Sequence, residues 1–177
     1  MRKLLAPVLL GLLSSASLFA QFGPTGTTSL QVVVGSEAAI RVDTATTNLT
    51  TAGSFVNYTG STGYTYKIRT TKVGGTGTVT VQITSDFGPA GGPSVAAPPT
   101  AGDSLDFTCA SSAPATACAG TQTAATASAT NVATFGADAR SARAGNGGNN
   151  VSWSLTNDPQ YQTGTYTATA TFTISAT

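Results

Sequence analysis

The chain alternates. From Gly164 the segment "GTYTATATFTISAT" places Tyr166, Ala168, Ala170, Phe172, Ile174 and Ala176 on one face, with threonines and a serine on the other. The same period of two runs through "SLQVVV" (Leu30, Val32, Val34) and "AAIRV" (Ala38, Ile40, Val42). It returns in "YTYKIRT" (Tyr64, Tyr66, Ile68), "TVTVQIT" (Val79, Val81, Ile83), "SLDFTC" (Leu105, Phe107, Cys109) and "VSWSLT" (Val151, Trp153, Leu155). A period of two is that of a strand with one buried and one wet face, and such strands belong to antiparallel sheets. Threonine suits the wet face, because it is β-branched and carries a hydroxyl. The pattern predicts about eight to ten short strands in an all-β sandwich. The Gly-rich stretch Lys72–Gly77 reads as the turn of a hairpin. "ADARSARA", 137–144, is the best helix candidate, a turn or two at most.

The first residues follow another order. Basic Met1-Arg2-Lys3 leads into apolar Leu4–Leu13 and then small residues ending at Ala20. That is the layout of a secretory signal peptide, and the apolar run is short for a membrane span. Residues 1–20 are therefore read as a signal peptide, with cuts after Ala16 or Ser17 as alternatives to Ala20. Residues 21–36 are read as an N-terminal strand and 37–177 as the sandwich domain. The expected location is secreted: extracellular, at the cell surface or periplasmic.

Charge narrows the partners. Without Arg2 and Lys3, six bases face seven acids, a net charge of −1. No overall field gathers nucleic acid or an anionic membrane. Cys109 and Cys118 in "CASSAPATAC" are read as one disulfide, since export favours oxidation and neither CxxC spacing nor histidine supports a metal or redox pair.

Reactive chemistry is sparse. With no histidine in 177 residues, Ser-His-Asp and Cys-His arrangements and nearly all zinc catalysis fall away. Asp103 and Asp106 are the only close carboxylates, and aspartate at a loop-to-strand boundary is ordinary turn chemistry. The expectation is no catalytic residue, no cofactor and no metal. Tyr64, Tyr66 and Trp153 share phase with aliphatic neighbours and are read as core. Tyr161, in "NDPQYQTG", is a candidate ligand contact, with a structural hydrogen bond as its alternative use. The Pro/Gly-rich loop 86–103 and the loop 136–150, with its Gly/Asn run, are candidate binding loops or surface crossovers.

The tail resembles the closing strand of spore-coat-U-type and chaperone–usher pilin subunits, through Gly164, Tyr166, Ala168, Ala170, Phe172 and Ile174. That resemblance implies an immunoglobulin-like sandwich completed by a donor strand from another copy. Leu30, Val32 and Val34 then supply the donor face, and Gly164, Tyr166, Phe172 and Ile174 belong to the receiving strand. The expected role is a structural or adhesive cell-surface protein, a fimbrial subunit assembling by strand exchange. The alternative is a self-contained binding module for carbohydrate or another surface ligand, using the two long loops.

Overall fold

The computed structural model describes residues 24–96 and 103–177. The proposed signal peptide, residues 21–23 and loop positions 97–102 lie outside the described residues. The chain divides into Met1–Val33 and Val34–Thr177. In the first unit, residues 24–33 form no strand, and Leu30, Val32 and Val33 are exposed.

The second unit is an antiparallel β-sandwich. Its strands are β1 (Glu37–Val42), β2 (Tyr58–Arg69), β3 (Gly77–Gly88), β4 (Leu105–Ala110), β5 (Thr116–Ala117), β6 (Gln122–Ala124), β7 (Thr130–Phe135), β8 (Asn146–Leu155) and β9 (Thr167–Ala176). One sheet has the order β1-β2-β8-β4-β6 and the other β5-β7-β3-β9, so the Lys72–Gly77 turn joins strands of different sheets and is not the hairpin turn its glycines suggest. No described residue is helical, so 137–144 does not form the helical turn its alanines suggest. Instead Arg140 makes an isolated bridge to Arg69, and Ser141 N–H donates to the carbonyl of Ile68 at 3.0 Å. Extended pairing along β2 satisfies more backbone groups than one free helical turn, whose nucleation is unfavourable.

The core follows the alternation. Tyr64, Tyr66 and Ile68 from β2 are buried with Val151, Trp153 and Leu155 from β8 and Leu105 and Phe107 from β4. The facing sheet contributes Val79, Val81 and Ile83 from β3 and Val132, Ala133 and Phe135 from β7. Aromatic rings fill the middle. Tyr66 meets Phe135 edge-on at 5.0 Å, and Phe107 lies 5.3 Å from Trp153. Each large buried side chain contributes about 1.5–3 kcal/mol relative to exposure.

Polar atoms inside this core all find partners among the described residues. Trp153 Nε1–H donates to Thr62 Oγ1 at 2.8 Å, and that hydroxyl also meets Thr47 Oγ1 at 2.6 Å. Tyr66 donates its hydroxyl proton to the carbonyl of Ser112 at 2.7 Å.

The Gly/Asn run differs from the loop expected of it. Asn146–Asn150 opens β8, and the register against β2 slips between Tyr64 and Tyr66. Gly148, at φ +75°, takes the left-handed backbone this bulge requires. The buried Asn149 then bonds both ways. Its amide donates to the carbonyls of Tyr64 (3.0 Å) and Asn146 (2.7 Å), and its Oδ1 accepts from Ser112 N–H (2.8 Å). Of the expected loop, only 136–145 stay outside the strands.

Cys109 and Cys118 are bonded as expected. Cys109 lies near the end of β4 in one sheet, and Cys118 follows β5 in the other, so the bond ties the two layers. Among the described residues no helix is long and apolar enough to cross a membrane. Replacing both cysteines by alanine is expected to lower unfolding free energy by about 2–3 kcal/mol, from the entropy of closing so short a loop. Urea denaturation of the purified variant measures it; an unchanged midpoint would contradict the staple.

Candidate functional site

The sandwich is not equally closed on all sides. β1 and β9 are the edge strands on one flank, one in each sheet, and they lie in contact across it. Each pairs with a single described neighbour, β1 with β2 and β9 with β3. Their other edges present backbone N–H and C=O groups with no sheet partner among the described residues, and such an edge is a template for another strand.

The side chains of this seam are less covered than their central counterparts. In β3 the inward residues Val79, Val81 and Ile83 are fully buried. In β9 the same face holds Ala168, Phe172, Ile174 and Ala176 half-buried and Ala170 exposed. In β1 it holds Ala38 and Ile40 half-buried and Val42 exposed. Phe172 reaches inward to Tyr64, with ring centroids 5.9 Å apart. Alanine at three of the five inward β9 positions leaves the flank thin, since a methyl group covers little of the core behind it. The six residues of β1 meet only the second half of β2, from Tyr64 to Arg69. Beyond them a single bridge, Thr50 to Thr59, continues the edge.

The sequence-predicted residues divide among three places. Phe172 and Ile174 lie in the seam. Gly164 and Tyr166 stand just before β9, which begins at Thr167. Tyr166 folds back: its hydroxyl donates to the carbonyl of Gln162 at 2.8 Å, and its ring lies against Gly92, where any Cβ would strike it. Leu30, Val32 and Val34 are exposed, and residues 24–36 join no strand. The β1 half of the seam went unassigned in the sequence as a site, although Ala38, Ile40 and Val42 carry the same alternation. Alternation marks a strand and its inner face, but not whether that strand is central or at an edge.

The outward face of β9 is a hydroxyl surface. Thr78 meets Ser175 at 3.0 Å and Thr84 meets Thr171 at 2.8 Å. These hydroxyls bond across the strands to each other.

Tyr161 is engaged structurally. Its hydroxyl donates to Asp103 Oδ1 at 2.7 Å, joining the segment before β9 to the start of β4. Burial, and then this carboxylate, push the phenol well above its ordinary pKa. Asp106 Oδ1 accepts from the hydroxyls of Ser104 (2.6 Å) and Thr123 (2.7 Å). The two aspartates thus serve separate local networks. No group of three His, Cys, Asp or Glu side chains able to hold a metal occurs among the described residues.

The described part of loop 86–103 is folded around Asp86. Its carboxylate accepts from Phe87 N–H (2.8 Å), Val95 N–H (2.8 Å) and the Ser94 hydroxyl (2.6 Å). Burial works to raise the Asp86 pKa, but these bonds outweigh it and hold the carboxyl below its usual value. This stretch is therefore an ordered brace beside Tyr166.

Tyr161→Phe removes the donor to Asp103 and is expected to cost about 1–2 kcal/mol of stability, read by chemical denaturation. Because the folded-state pKa of Asp86 is depressed, its stabilisation is present above the unfolded value of about 3.9 and lost as pH falls through the folded value. Thermal melts from neutral to acid pH should show a smaller acid-induced drop for Asp86→Asn than for the parent chain.

No protein-family model, curated protein or solved structure matches the chain.

Proposed function

We propose that the protein is a secreted structural or adhesive subunit of the cell surface, assembling through strand pairing between copies. The observation that carries this reading is the β1/β9 flank, where an edge with no sheet partner among the described residues coincides with an apolar face that the fold leaves partly uncovered. On the neighbouring central strand β3, Val79, Val81 and Ile83 are by contrast fully buried. An added strand satisfies both deficits at once, its backbone pairing with the edge and its alternate side chains covering the inner face.

The chain carries a segment of the right chemistry. Leu30, Val32 and Val34 are spaced two apart, and they are respectively 94%, 82% and 61% exposed. In this reading they are the donor face, and Phe172, Ile174, Ile40 and Val42 line the receiving seam. The resemblance of the last strand to pilin and spore-coat-U subunits points the same way. A disulfide between the sheets is compatible with an extracellular or periplasmic setting.

The test uses the N-terminal segment as a reagent. A peptide of residues 24–36, labelled and added to chain truncated before Val34, is expected to bind saturably, while a sequence-scrambled peptide does not. The untruncated protein is expected to form multimers by light scattering, and Leu30→Asp with Val32→Asp should abolish them. Binding of the scrambled peptide with equal affinity, or multimers unaffected by the two aspartates, rules the reading out.

A further inference from the structure

The charges of the sandwich are sorted along its strands. Apart from Arg2 and Lys3, every base and acid of the chain, six and seven in number, lies in Val34–Thr177. β2 ends at Arg69, and the turn from Thr70 to Thr76 leads directly to Gly77, so β3 starts at that same end. Tyr58 pairs with Leu155, and Leu155 with Leu105, which sets the starts of β2 and β4 at the opposite end. Gly88, at the far end of β3, lies there too.

The Arg69 end carries Lys67, Arg69, Lys72, Arg140 and Arg143 against Glu37 and Asp138. Five bases less two acids make +3 in side-chain charge. The Tyr58 end carries Asp86, Asp103, Asp106 and Asp158 and, among the described residues, no base, −4. Arg41 and Asp43, bonded at 2.8 Å, cancel between them. β8 spans ten residues, so the two ends stand about 30 Å apart at about 3.4 Å per residue. That is several times the screening length of about 8 Å at physiological salt, and the ends do not neutralise each other within one molecule.

Local geometry keeps both charges available. Arg69 and Arg140 face each other across their bridge, a placement that like charges disfavour. Glu37 holds the first at 3.1 Å and Asp138 the second. Lys67 and Arg143 line the same open cleft of about 370 Å³, and neither makes a salt bridge among the described residues. At the other end, the hydrogen bonds to Asp86, Asp103, Asp106 and Asp158 come from neutral hydroxyls and backbone N–H groups. Those bonds fix the carboxylates without cancelling their charge.

We propose that the acidic end of one copy docks on the basic end of the next, so that copies associate head to tail. Such a contact is heterologous and leaves a free end of each sign, which makes it open-ended. It goes beyond the strand-pairing reading, because it uses the ends of the sandwich and not the β1/β9 flank. Its electrostatic character gives it a different signature: complementary charge speeds and orients encounter and weakens with salt.

Sedimentation velocity of the full chain tests this. At low salt, association should rise with concentration, and the association constant should fall about tenfold or more at high salt. Lys72→Glu with Arg143→Glu takes the basic end from +3 to −1, and Asp106→Lys with Asp158→Lys takes the acidic end from −4 to zero. Each double variant alone should lose the salt-sensitive association. Mixed, they should form one-to-one dimers that grow no further, because each keeps one native end. Asp106→Asn with Asp158→Asn, which keeps the acceptor oxygens, serves where the lysine variant does not fold and should weaken the association. A chain that stays monomeric at low salt, or association that neither salt nor these variants change, overturns the proposal. Multimers that persist at high salt and in the charge variants report strand pairing instead, so the two readings fail separately.

Discussion

The structure depends on the packing of two alternating apolar faces against each other. Everything else is arranged around that contact. β2 and β8 supply Tyr64, Tyr66, Val151 and Trp153 from one layer, and β3 and β7 supply Val79, Val81, Val132 and Phe135 from the other. Because the side-chain period is two, a slip of one residue in any of these strands would turn its apolar set to water. Register is therefore held by the core itself. The buried polar groups reinforce it: Trp153 with Thr62, and Asn149 with Tyr64, Asn146 and Ser112, bond only in this register.

The same contact explains where the molecule is incomplete. A sheet covers its neighbour well at its centre and poorly at its edges. On the β1/β9 flank the inward residues are small or only half-covered, and the backbone edges have no sheet partner among the described residues. Surfaces of this kind are usually blunted by charge, proline or bulges. β9 has neither charge nor proline in its ten residues, and its outer face is threonine and serine. The irregularities of its pairing, on either side of Ser85, insert residues into β3 and leave the outer edge of β9 unaltered in register. The candidate site is thus a consequence of the sheet order, and no reactive side chain is needed to define it.

Charge adds a direction to this layout. The sandwich has a low net charge, yet its two ends differ in sign, and the strands hold them apart. The flank and the ends are separate surfaces with separate physics. One works through backbone pairing and apolar cover, the other through screened Coulomb attraction. An assembly using both would have its register set by the first and its polarity by the second.

Much of this was legible in the residues. Alternation identified the strands from Tyr64, Val79, Leu105, Val151 and Ala168 onward, their inner faces and the two-layer architecture, because the i, i+2 pattern is local and backbone geometry converts it directly into a buried and a wet face. The two cysteines likewise announced their bond. Other features needed the folded chain. The Gly/Asn run became the bulged start of β8 because β2 offered it backbone partners, and Arg140 and Ser141 were drawn to the end of β2 in the same way. Tyr161 found its carboxylate, Asp103, 58 positions away. That β9 lies at an edge, and that four aspartates gather at one end and five bases at the other, are sums over residues far apart in sequence. Local pattern carries no record of such sums, so strand order in three dimensions decided them.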